Sequence, residues 1–271
     1  MFAGLLATLM ACANPPEQSD APTFPNESVL FGKLASEAFE TLSTAQLVSY
    51  ACQGDVEAMQ VALKAGANVD ETGSDGVTPL FWVFGCENYE GFKALLEAGA
   101  DPNIPFTGLH RRHPDYRLIN ATSLNVDVRY LKLLLEMGVD PNGSQGLTIR
   151  SPLTNAVTLY MTKDISDHLD LLLKYATNIH DQSAIGQAAS FDHWPIVKRM
   201  IDMGYDCDLI RLAMSVDHAP TRINYQTLNE EELAAYEFVK AFLIDKGFSF
   251  PLNRDDYDVS VKRCEPKAPI R

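Results

Sequence analysis

The first group in this chain equipped for covalent chemistry is the thiol of Cys12, in the run Leu9-Met10-Ala11-Cys12. A thiolate is the nucleophilic form of cysteine, and small residues before it leave it open to an attacking or processing partner. Two imidazoles, His110 and His113, flank Arg111 and Arg112. A zinc site needs three or four convergent ligands, no cysteine lies near this pair, and Pro114 argues against a regular helix, so no metal is expected. Arg254-Asp255-Asp256-Tyr257-Asp258 lacks the glycine and closing glutamate of a calcium loop and reads as a polar tail. The chain contains no nucleophile elbow, phosphate-cradling glycine loop, zinc-protease helix or paired acid motif. The expectation is a protein that is not an enzyme and needs no cofactor.

Recognition chemistry is richer. Ile104 to Arg117 carries Arg111, Arg112 and Arg117 against Asp115 alone, a cationic stretch in a chain of net charge -14. Arginine and large aromatic residues dominate interface hot spots, which makes Phe106, His110, Arg111, Arg112 and Tyr116 the candidate partner-binding residues. The competing reading is a solvated loop whose arginines pair with carboxylates, each pair contributing about 0–1 kcal/mol. Asp217 to Asn229, with His218, Arg222 and Tyr225, is a second, lesser candidate, followed by Glu230-Glu231-Glu232 at a helix start that favours negative charge.

The elements that must position these loops recur along the chain. Leu47 to Asp55 runs into Val56 to Asp70: a short helix, a glycine turn, a second helix and a closing glycine. Thr78-Pro79-Leu80 opens the next pair, which ends in Ala98-Gly99-Ala100-Asp101-Pro102-Asn103. Later copies end near Gly138, Ala176, Gly204 and Gly247. Pro79 fits a first helical position, where its missing N–H costs nothing. Paired leucines face neighbouring copies, because one helix pair cannot bury its own apolar stripe. Phe81, Trp82 and Phe84 sit at helical spacing and are expected in the core. Cys52 and Cys86 fall at equivalent places near the ends of adjacent first helices, so a disulfide between them and two free buried thiols both fit.

This pattern resembles that of ankyrin repeats. The carriers are Thr78-Pro79-Leu80 and the closing Leu95-Leu96 to Asn103, and the step from Gly66 to Gly99 is the 33-residue ankyrin period. The steps on either side of Gly138 lengthen to 39 and 38 residues, and the extra residues must loop out. The resemblance implies an all-α solenoid of about six helix-turn-helix repeats, some degenerate, over residues 29–250. Phe31 to Phe39 is expected to cap one end, and residues 251–271 form a C-terminal cap or tail.

Residues 1–11 are apolar and uncharged, too short to span a bilayer and of the length of a signal-peptide core. With Cys12 they resemble the lipobox of bacterial lipoproteins, in which the signal is cut before the cysteine and its thiol receives a diacylglycerol. No Lys or Arg precedes the run, a departure from that pattern. A packed N-terminal helix is the alternative. Residues 12–28, with Pro15, Pro16, Pro22 and Pro25, read as a tether. By the same resemblance, Ala13 after the cysteine implies the outer membrane, facing the periplasm. An acidic surface repels phosphate backbones and anionic headgroups, which excludes nucleic acid and leaves the lipid anchor as the membrane contact. Lipobox, tether and repeat stack together resemble the ankyrin-type immunity lipoproteins of type VI secretion phospholipase effectors. That implies a protein that binds a secreted phospholipase and occludes its active site. An envelope scaffolding lipoprotein and a cytosolic ankyrin regulator remain as alternatives.

Overall fold

The computed structural model describes residues 23–107, 115–144, 149–175, 178–222, 224–253, 256 and 264. Contacts divide the chain into two compact units, Met1–Asp140 with Gly146–Ile149, and Pro141–Gln145 with Arg150–Arg271. Both are built from successive helix-turn-helix pairs.

The first unit begins with an antiparallel hairpin, β1 (Val29–Leu30) and β2 (Lys33–Leu34), paired Val29 to Leu34 and Leu30 to Lys33. Its two tip residues, Phe31 and Gly32, have φ of 54° and 77°, the left-handed pair that matches a tight turn to strand twist. The all-α expectation therefore gains a small β element where a cap was expected. Then come α1 (Ala35–Ala38), α2 (Leu42–Gln53), α3 (Val56–Lys64), α4 (Pro79–Gly85), α5 (Tyr89–Glu97), α6 (Leu118–Thr122) and α7 (Val128–Glu136). The caps are local: Asp55, Thr78, Asn88 and Asp127 accept backbone N–H groups of the first turns of α3, α4, α5 and α7. Between them Leu47, Val48, Leu80, Trp82, Phe92 and Leu95 are buried. A buried leucine contributes about 1.5–3 kcal/mol, so this apolar layer holds the repeats together. Gly91 is there for closeness: an added Cβ would lie 1.9 Å from the Ala51 carbonyl oxygen, which is how near α5 approaches α2.

The end of the expected tether is folded. Glu27 accepts N–H bonds from Thr23 and Ser36 at 2.7 and 2.5 Å, and Ser28 Oγ accepts the Trp82 indole N–H at 2.9 Å. The boundary at residue 28 thus lies inside the domain, because these polar side chains satisfy N–H groups of α1 and α4.

The second unit contains α8 (Pro152–Lys163), α9 (Asp167–Tyr175), α10 (Gln182–Ser190), α11 (Trp194–Asp202), α12 (Leu209–His218) and α13 (Glu230–Asp245). Ser151 caps α8 and donates to Asp181, which in turn caps α10, so one carboxylate ties two consecutive repeats. Asn229 and Glu232 form a capping box on α13, placing three glutamates in its first turn. Asp256, expected in a polar tail, is 3% exposed and accepts from the backbone N–H groups of Ser249 and Asn253. It belongs to the fold. No helix among the described residues is long and apolar enough to cross a membrane.

Candidate protein-binding surface

The loop that carries the sequence candidates is closed at its base. Phe106 and Tyr116 form an isolated antiparallel bridge, with the Phe106 N–H donating to the Tyr116 carbonyl at 2.7 Å. The bridge brings the two ends of the lengthened repeat together, as an insertion in a packed stack requires. His110, Arg111 and Arg112 fall outside the described residues, as does Cys12.

Phe106 is not a surface anchor. It is 3% exposed and stacks on Phe81, ring centroids 5.0 Å apart. The apolar residue expected at the interface is used by the fold because an inserted loop must itself be pinned to the repeat. Tyr116 is half-buried beside Phe81, and burial pushes its phenol up to about 12. Arg117 pairs with Asp115 through Nε at 3.2 Å, both partly exposed, so this arginine is held locally.

The pedestal supports a residue that sequence reasoning took for a cap. Phe31, at the hairpin tip, is 54% exposed and lies 6.4 Å from the Phe106 ring, nearly parallel to it. A bulky residue with φ near 54° is disfavoured by order 1 kcal/mol or more. Val29, on the same hairpin, is 56% exposed. The hairpin tip and the bridged loop thus form one aromatic edge in the first unit. The signal in the sequence was the Leu-Phe-Gly-Lys-Leu pattern at 30–34, an alternation broken at a Phe-Gly turn.

The second insertion has a different character. Arg222 grips Asp192 with Nη2 at 2.6 Å and donates to the Ala189 and Ser215 carbonyls. Tyr225 packs on Tyr236, ring centroids 4.9 Å apart. These groups fasten the insertion to the second unit, and only His218 of the three named residues is exposed. A groove of about 330 Å³ between α11 and α13 is lined by Lys198, Arg199, Asp202 and Glu231. Lys198 pairs with Asp202 and Arg199 with Asp170, so its charges are largely spent on the protein.

Cysteine pairing completes the geometry. Cys52 and Cys86 are joined across the C-terminal ends of α2 and α4, with Cα atoms 5.4 Å apart, and Cys207 is joined to Cys264.

No family model matches the chain. A putative ankyrin repeat protein of Fowlpox virus (strain NVSL) is 28% identical over 92 residues, which is 34% of this chain. The likeness is to ankyrin repeat proteins. The match spans 15% of the length of that viral protein. The crystal structure of the human ASB11 ankyrin repeat domain is also similar, with 20% identity and a TM-score of 0.48 over 71% of this chain and 82% of that one. Repeats stacked side by side share a core with their neighbours and leave an open surface along the stack.

Proposed function

We propose that the chain is a lipid-anchored protein of the bacterial envelope that binds one secreted effector, a phospholipase, and holds it inactive by covering its active site. The observation that carries the location is the cysteine arithmetic. Two disulfides account for four of the five cysteines, and the one left over is Cys12, in the lipobox-like run. Paired structural cysteines favour an oxidising compartment, where a lipoprotein signal would deliver the chain.

Binding rests on the aromatic edge. An exposed Phe31 seated on a buried Phe106 is a rigid apolar projection, the kind of group that carries affinity at an interface. The net charge of -14 would speed encounter with a basic surface. The arginines of the 104–117 loop would supply the opposite sign at one place on this acidic protein.

The test has two arms. Metabolic labelling with a palmitate analogue should mark the chain, and Cys12→Ala should abolish the mark. Residues 13–271 should capture one hydrolase in stoichiometric amount from the native organism, with its lipase activity suppressed in the complex. An unlabelled chain would leave a cytosolic regulator; a scatter of envelope proteins would leave a scaffold.

A further inference from the structure

Where the fifth repeat closes, Tyr205-Asp206-Cys207-Asp208 leads from α11 into α12, and Cys264 is bonded to it across 57 residues. Cys207 is 1% exposed. His180 stands beside it, with Nε2 3.0 Å from the Gly204 carbonyl oxygen and 3.3 Å from Asp206 Oδ1. Asp208, held at a φ of 48°, accepts the Cys264 N–H at 2.7 Å and the Gln182 amide. The donor atoms of His180, Asp206 and Cys207 all lie within 4.8 Å of one another, and so do those of Cys207, Asp208 and Cys264. The two triads share the Cys207 sulfur. Among the described residues, neither group of this kind includes Cys52 or Cys86.

We propose that this cluster is a redox-gated zinc site: once the disulfide is reduced, Cys207, Cys264 and His180 bind the ion, with Asp206 or Asp208 as fourth ligand. Two sulfurs, one imidazole and one carboxylate make a four-coordinate set of the type zinc accepts. Zinc–sulfur bonds of about 2.3 Å and zinc–nitrogen bonds of about 2.0 Å place tetrahedral ligand atoms roughly 3.3–3.8 Å apart. His180 Nε2 and Asp206 Oδ1, 3.3 Å apart, already have that spacing. The other gaps within each triad, none above 4.8 Å, have little to close, and the two sulfurs must separate. Soft thiolates select zinc over magnesium or calcium, which take six or more oxygen ligands.

The chemistry balances with a dithiol as reductant. It gives two electrons and two protons to the disulfide, the S–S bond breaks, two thiols form, and the dithiol leaves as its own disulfide. Zinc then displaces both thiol protons. Either state, disulfide or zinc, ties Cys264 to the repeat; only the reduced, metal-free chain releases it. The proposal needs neither the phospholipase partner nor the envelope location, so it stands or falls separately from them.

Cobalt is the probe. Full-length chain is reduced with a dithiol, freed of it and titrated with Co²⁺, then with Zn²⁺ as competitor. The expected result is one cobalt per chain, with intense tetrahedral d–d bands and a thiolate charge-transfer band, displaced by one equivalent of zinc. Oxidised chain should show none. Cys52→Ser with Cys86→Ser should keep the spectrum, and Cys207→Ser with Cys264→Ser should lose it. His180→Ala, which leaves both thiols in place, should weaken binding by at least the roughly 10–100-fold that losing even a supporting contact causes. Absence of the bands in reduced chain, or bands that survive the Cys207/Cys264 double variant, would overturn the proposal. So would His180→Ala binding as tightly as the parent.

Discussion

Removing the Arg222 guanidinium tests how the second insertion is held. Its Nη2 donates to Asp192 Oδ1 at 2.6 Å, and its Nε lies 3.1 and 3.0 Å from the two oxygens of the same carboxylate. The same Nη2 lies 3.1 Å from the Ala189 carbonyl and 3.0 Å from that of Ser215. The Asp192 side chain is 1% exposed and the Arg222 side chain 26%. Arg222→Ala would leave a buried carboxylate without this cation and take one donor each from the Ala189 and Ser215 carbonyls, the first of which keeps the Asp192 N–H. Breaking a buried pair from one side costs about 3–5 kcal/mol, against about 0–1 for a surface pair. The partial exposure of Arg222 lets water in and favours the lower end, about 3 kcal/mol. At roughly 2–4 °C per kcal/mol, the melting temperature should fall by about 6–12 °C. Urea unfolding followed by circular dichroism gives the same quantity from its midpoint. Arg222→Met combined with Asp192→Asn should lose much less, since no charge is then buried alone and asparagine tolerates the φ of 63° at that position. A loss below about 1 kcal/mol for Arg222→Ala would refute the reasoning and return the pair to the surface class.

Four further outcomes are expected. Gly91→Ala should destabilise by about 1–3 kcal/mol or more, because its methyl would meet the Ala51 backbone rather than a movable side chain; thermal unfolding against Gly66→Ala, where the space is open, separates crowding from backbone strain. Cys52→Ser with Cys86→Ser opens a link spanning 34 residues and should cost about 3–4 kcal/mol by loop entropy, read from urea midpoints. Phe31→Gly should leave stability unchanged or raise it by about 1 kcal/mol, since glycine accepts the left-handed turn, yet should weaken retention of a captured partner. Burial pushes the Glu27 carboxyl up, but hydrogen bonds from Ser36, Thr23 and Phe24 outweigh it and hold it below its ordinary 4.5. That depressed value adds stability above pH 4.5 that is lost as pH falls through the folded value. Glu27→Gln should therefore flatten the acid limb of the stability profile, measured by melting at stepped pH.

The repeats were legible because they are set by local rules that act within a few residues. Thr78 before Pro79, the leucine pairs and Gly66 at the end of α3 specify caps, an apolar stripe and a left-handed stop, and each appears where the spacing put it. Even the meeting of Cys52 with Cys86 could be entertained, since a regular period places equivalent residues side by side. Long-range polar pairing had no such period. Nothing near Arg222 announces Asp192, 30 residues earlier, and nothing near Asp256 announces that its carboxylate is buried on the turn at Ser249. Phe106 was read as an anchor from its residue type alone; whether an aromatic ring faces a partner or fills a gap depends on what packs beneath it, here Phe81. Composition and spacing determined the repeat, its caps and its acidic surface. Only the tertiary structure decided which aromatic ring is left facing solvent, because burial is a property of neighbours distant in the chain.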